Sequence, residues 1–320
     1  MKLHPMSSRI ARIASSICQP SRRQVIFGAA TTLGIGLAEP VRAQAPGLLR
    51  VVNSFEFRTL RPSETGFTFT RTGVAATLVA TDFDGRIVPA LAEDWVSSPD
   101  GLEWWLTLRA GVVFHDGTPM TAELVKASFE KLVPQSLFLK SADIRSIETT
   151  GRQIVFRLER PFGPFLAYLA DTSVFVLAPA SFSAQGEVAA VIGTGPFRIA
   201  RANLPRELML ARHDGYWGRK PAFAQVQYDA VSNGETRANI AAAGDADLVL
   251  NIPTPSLARV GAGGRMRTTS AVIPRTHILM PNCAKPQFAD ARTRRALSLA
   301  IDRAGIAGSI MRNPSLAATH

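Results

Sequence analysis

Residues 78–132 read LVATDFDGRIVPALAEDWVSSPDGLEWWLTLRAGVVFHDGTPMTAELVKASFEKL, and the spacing of apolar residues changes once along them. Asp84-Gly85, Asp100-Gly101 and Asp116-Gly117 are turn dipeptides, because Gly accepts positive φ and Asp hydrogen-bonds its own neighbouring backbone. Between the last two, Trp104, Leu106 and Leu108 alternate with Glu103, Trp105 and Thr107, the two-residue period of a strand. From Thr121 the period lengthens. Thr121 is placed to cap a helix whose apolar face carries Leu124, Val125, Phe129 and Leu132. The block is strands and turns feeding an amphipathic helix, and it is scaffold rather than chemistry.

The order of cues in this block resembles the N-terminal part of the family 5 extracytoplasmic solute-binding proteins, the oligopeptide, dipeptide and nickel-type receptors of ABC importers. The cues are Asp84-Gly85, Pro89-Ala90-Leu91-Ala92-Glu93 with Trp95, Asp100-Gly101, Leu108-Arg109, Phe114-His115-Asp116-Gly117-Thr118-Pro119 and Thr121-Ala122-Glu123-Leu124-Val125. Farther on, Ile192-Gly193-Thr194-Gly195-Pro196-Phe197, Tyr216-Trp217-Gly218 with Pro221, Gly244-Asp245-Ala246-Asp247-Leu248 and Ala300-Ile301-Asp302-Arg303 resemble later phrases of the same family. The resemblance implies an α/β fold of the periplasmic-binding-protein type (type II, family 5), a first lobe of mixed sheets and helices. It further implies that the chain crosses to a second lobe near residues 271–279. The expected division is therefore an export segment over 1–45, a first lobe over 46–275, and the start of a truncated second lobe over 276–320.

Within the first lobe the pattern predicts strands at 49–53, 143–149, 153–158 and 197–200, and the resemblance implies further strands at 175–177 and 226–230. Helices are expected at 66–79 and 236–243, and the resemblance implies a helix at 290–301 and a buried strand entered at Leu248. Gly261-Ala262-Gly263-Gly264 reads as a flexible surface loop. The glycines of Gly193-Thr194-Gly195-Pro196 invite comparison with a phosphate loop, but no Lys-Ser/Thr follows and Pro196 lacks the amide such a loop needs. The turn reads as an entry to the next strand.

The first 45 residues carry Arg22-Arg23 ahead of a weakly apolar run from Val25 to Ala38 and small residues around Ala43 and Ala45. That resembles a twin-arginine export signal, with an ordinary secretory signal as the alternative, and places the mature protein in the periplasm. Six basic residues in the segment (Lys2, Arg9, Arg12, Arg22, Arg23, Arg42) against Glu39 give it +5, so of the chain's +11 the remainder holds +6. Those charges are dispersed without interleaved aromatics, which argues against a nucleic-acid partner. Cys18 falls in the export segment and leaves Cys283 unpaired. The five histidines lie far apart and show no metal-ligand spacing, and no cofactor fingerprint is present.

The resemblance implies no covalent chemistry. A small-molecule or peptide ligand is held between lobes, and the closed form engages the membrane permease of an ABC importer, with the receptor acting as a monomer. By position in the family pattern, first-lobe ligand contacts fall on Phe67, Phe69 and Arg71, and on Asp171, Thr172 and Ser173. Core packing is the alternative for Phe67 and Phe69. For Asp171, a solvated loop carboxylate stands beside a partner for a cationic group such as a peptide amine. The ligand is a peptide, a nickel chelate or another small solute. Residues 133–140 and 171–174 hold no arginine, which counts against an anionic chelate. The other classes are a non-functional remnant of such a receptor and a secreted enzyme; His115-Asp116 would be the catalytic pair of the latter, but adjacent strand residues point to opposite faces.

Overall fold

A computed structural model describes residues 47–270 and 278–318. The export segment and most of the proposed crossing lie outside them. The chain enters through β1 (Leu48–Asn53), whose burial rises to its carboxyl end. Helix α1 spans Pro62–Arg71, not 66–79. Pro62 at the first helical turn needs no amide partner there, and the helix stops at Thr72 because Gly73 turns left-handed at φ +71°. Residues 79–81 then form β2 (Val79–Thr81), paired antiparallel with β3 (Ile87–Pro89).

The expected scaffold follows. β4 (Ala92–Ser97), β5 (Glu103–Leu108), β6 (Ile144–Thr150) and β7 (Gln153–Leu158) form an antiparallel sheet in the order β4-β5-β7-β6. Gly85, Gly101 and Gly117 all adopt positive φ, as their turns require. Helix α2 (Ala122–Leu132) begins where predicted, with the Thr121 hydroxyl accepting from the Leu124 amide at 3.3 Å. It lays Val125, Phe129 and Leu132 against the sheet, and Phe129 meets Phe156 edge-on with centroids 5.3 Å apart. Short helices α3 (Leu137–Ser141) and α4 (Phe165–Leu169) close this layer, Phe165 packing on Phe156 and Trp104.

Residues 175–177 are not a strand. Phe175, Val176 and Leu177 are fully buried, but only Phe175 makes a bridge, to Thr77, and the amides of 176–178 go to Ala76, the Ser128 hydroxyl and Ile192 in turn. A segment threaded among three neighbours has no single ladder to join.

The second sheet is mixed. β8 (Phe197–Asn203), β9 (Glu207–Arg212), β10 (Gln225–Ala230) and β11 (Leu248–Val249) join β1 in the order β11-β1-β10-β9-β8. β1 runs parallel to both β10 and β11, so the carboxyl ends of three strands share one edge. β11 lies at the side of the sheet and Leu248 is exposed, where a buried strand was expected. Helix α5 (Gly234–Ala243) starts two residues before Thr236, because the Asn233 side chain accepts from the Thr236 amide at 2.9 Å. Gly261 and Ala262 belong to α6 (Leu257–Ala262) rather than to a loop, held by Val260, whose side chain is buried beside Ala238 and Ala241. Among residues 278–318, α7 (Pro286–Ala289) precedes α8 (Ala291–Leu299), capped by Asp290; no residue of α8 is buried and Leu299 is largely exposed.

Candidate functional site

In open α/β sheets ligands lie outside the carboxyl ends of parallel strands. Here that edge is formed by Asn53, Ala230 and Val249 and the loops that leave them. Arg237 organises two of those loops from below. Its guanidinium, 5% exposed, donates to the carbonyls of Val231 at 2.7 Å, Ser232 at 2.9 Å, Leu250 at 3.2 Å and Asn251. The planar fork of five N–H groups is what lets one side chain serve so many acceptors. Burial lowers its pKa. Asn251, left-handed at φ +56°, donates through Nδ2 to Asn53 Oδ1 at 2.9 Å and to the Ser54 hydroxyl at 3.0 Å, tying the third loop in. The edge is thus fixed by polar groups while its outward surface stays open.

Above β1 stands an aromatic stack. Phe55, 40% exposed, meets Phe67 edge-on at 5.0 Å, and the Arg71 guanidinium sits 5.0 Å from the centre of the Phe67 ring. Phe67 and Arg71 are four residues apart on α1 and therefore share a face. No carboxylate among the described residues pairs with Arg71. Its charge is offset only by the ring's electron-rich face. The base of Phe55 is held by the Tyr228 hydroxyl, which donates to the Phe55 carbonyl at 3.0 Å; burial pushes that phenol up to about 12.

The 171–173 loop lies against the same helix. A Cβ at Gly66 would stand 2.1 Å from the Thr172 carbonyl oxygen, so only glycine permits the contact. Asp171 turns the loop by accepting the Ser173 amide at 2.8 Å and the Ser173 hydroxyl on one carboxylate oxygen. Of the six residues expected to touch ligand, Phe67 and Arg71 are stacked at the surface, and Asp171, Thr172 and Ser173 are partly exposed beside them. Phe69 differs. Its ring is fully buried, 6.4 Å from Phe175, because the helical step of two residues from Phe67 turns it to the opposite, core-facing side.

Sequence reasoning missed Phe55 and a second aromatic group. Phe138 and Phe162 both pack on Tyr168, at 5.5 and 4.9 Å, with Leu137 exposed beside them. The Asp171 amide donates to the Tyr168 carbonyl at 3.2 Å, so this group continues into the 171–173 loop. A signal was available: Leu137-Phe138-Leu139 on one helical turn cannot all face a core, and Leu139 alone is buried. A cavity of about 380 Å³ lined by Leu48, Arg212, Asp214 and Gln225 lies at the amino ends of β1 and β10, away from this edge.

Comparison with known proteins gives the chain's family. The model of the bacterial extracellular solute-binding proteins, family 5 Middle, matches residues 86–320. The chain belongs to this family. Among curated relatives of this family 5 protein, the probable D,D-dipeptide-binding periplasmic protein DdpA of Escherichia coli (strain K12) is 30% identical over 244 residues, 72% of this chain and 46% of that protein. The nickel-binding periplasmic protein of the same organism is 29% identical over 250 residues, 73% of this chain and 47% of the relative. Among solved structures, AgaA of A. tumefaciens R10 in complex with agropinic acid is 29% identical with a TM-score of 0.69, the match covering 83% of this chain and 56% of that one. The nickel ABC transporter structure from Bacillus halodurans is 27% identical with a TM-score of 0.65, at the same coverages. The chain spans about half the length of the curated relatives it matches. These relatives are named as binding proteins rather than enzymes.

Proposed function

We propose that this family 5 protein captures a small solute in the periplasm for an ABC importer, with residues 46–275 forming the first of the two lobes that hold it. The observation that carries this reading is the stack of Phe55, Phe67 and Arg71 at the shared carboxyl edge of β1, β10 and β11. Exposed rings and a cation without a carboxylate partner among the described residues are groups that gain most when another surface covers them. The 171–173 loop meets the same helix at Gly66 and carries hydroxyls and a carboxylate, so a ligand with both apolar and polar parts fits the edge. Peptides, nickel chelates and other small solutes remain the candidate classes, by analogy with the relatives. Engagement of a membrane permease, action as a monomer and export of the chain by residues 1–45 through the twin-arginine route belong to the same proposal, the last supported by Arg22-Arg23.

Thermal unfolding of the full chain against a panel of di- and tripeptides, nickel with histidine, and opine-type carboxylates tests the binding reading. At least one class should raise the midpoint in a concentration-dependent way, and Phe67→Ala should abolish the rise. A panel without effect, or a rise that survives Phe67→Ala, would overturn the assignment of the site.

A further inference from the structure

Two of the histidines that lie far apart in sequence converge on one carbonyl. The oxygen of Gly195 is contacted by His115 Nε2 at 3.1 Å and by His213 Nδ1 at 3.3 Å, and the two rings meet edge to face with centroids 5.0 Å apart. A carbonyl only accepts, so both of those nitrogens carry the hydrogen, and this assigns the neutral tautomers. His115 Nδ1 is then a bare lone pair, buried and without a protein partner. Main-chain bonds reinforce the junction: His115 N donates to Gly193 O at 2.9 Å and His213 N to Pro196 O at 2.9 Å. Gly195 itself cannot retreat, since even a Cβ there would lie 2.2 Å from the Gly73 carbonyl.

His115 belongs to the turn after β5, in the antiparallel layer, and His213 follows β9, in the mixed sheet. We propose that His115, His213 and the Gly195 carbonyl form an acid-released clasp between these two sheets, shut while His115 is neutral and opened by proton uptake at its ring. A second proton on His115 places an N–H at Nδ1 where no acceptor faces it. It also places a positive charge beside His213 and beside Arg198 of β8, with Asp116 of the same turn as the opposing acid. His213 itself lies near Asp214, a carboxylate that is paired with Arg212 and also feels Lys220.

Burial, helped by His213 and Arg198, holds His115 down at about 4 against an ordinary 6.5. The released or unfolded chain therefore takes the proton first. The stabilisation is complete above pH 6.5, falls as pH drops from 6.5 towards 4, and is gone below that. A shift of this size corresponds to about three hundredfold in the folding equilibrium, of which somewhat more than a hundredfold is reached by pH 4.

The test is denaturant unfolding of the full chain between pH 7.5 and 4, with His115→Gln beside the wild type. The glutamine amide still donates to Gly195 but cannot be protonated. The wild type is expected to lose about a hundredfold more of its folding constant than the variant over this range; equal losses would overturn the clasp. Amide hydrogen exchange of the wild type at pH 7 and 4.5, corrected for intrinsic rates, decides the matter even where the variant does not fold. Amides of 113–117 and 193–197 should lose protection while those of β5 and β7 keep theirs. Loss of protection in both sets together would show global unfolding in place of a clasp.

Discussion

The antiparallel sheet and the mixed sheet of this protein are built from different kinds of sequence information. β4 to β7 lie within 92–158, are joined by hairpins or one helical excursion, and pair with neighbours close in the chain. β1 instead finds its partners at 225–230 and 248–249, nearly the whole lobe away. The first sheet is made by turns and periodicity, and it carries the longest of the family's phrases, those of residues 84–125. The second is made by long-range closure, and its edge carries the candidate site. Local patterning is thus strongest in one sheet, while the candidate surface is assembled by the other.

Three substitutions sharpen that contrast. Phe156→Ala strikes the antiparallel core, where the ring is fully buried between Phe129 and Phe165. It should cost about 3–5 kcal/mol in denaturant unfolding, with no separate effect on ligand. Arg237→Met strikes the closure of the mixed sheet. It leaves four carbonyls without their donor and should cost about 2–4 kcal/mol. Hydrogen exchange should show the loosening concentrated in residues 231–233 and 250–253; a loosening spread evenly through β4 to β7 would contradict the separation of the two sheets. Arg71→Gln touches only the exposed stack. Its effect on stability should stay within about 0.5 kcal/mol, while the ligand-induced rise in unfolding midpoint is lost.

The same contrast explains what could be read from the chain. Thr121 as a cap, Leu106 and Leu108 on one strand face and the Asp-Gly turns were all legible, because each depends on residues within a few positions. The end of α1 was misplaced: apolar residues 74–79 continue a helix-like run, and only pairing of Val79 with Pro89 makes the last of them a strand. Residues 175–177 have strand composition, yet their amides are shared among three partners that no local pattern reveals. At the site, the i, i+4 relation of Phe67 and Arg71 was available in the sequence, and the same geometry assigns Phe69 to the core. Phe55 could not be recognised, because its importance arises from standing beside Phe67 across a loop. Likewise the meeting of His115 and His213 depends on the turn at 193–196, which brings together segments almost a hundred residues apart.

Gly66 has one further consequence. Because the Thr172 carbonyl occupies the space a side chain would fill, α1 and the 171–173 loop touch backbone to backbone, with no flexible group between them to absorb a displacement. A displacement of α1 is therefore passed directly to the neighbouring loop, as through two gear teeth in mesh, and the two halves of the candidate surface are expected to shift in step.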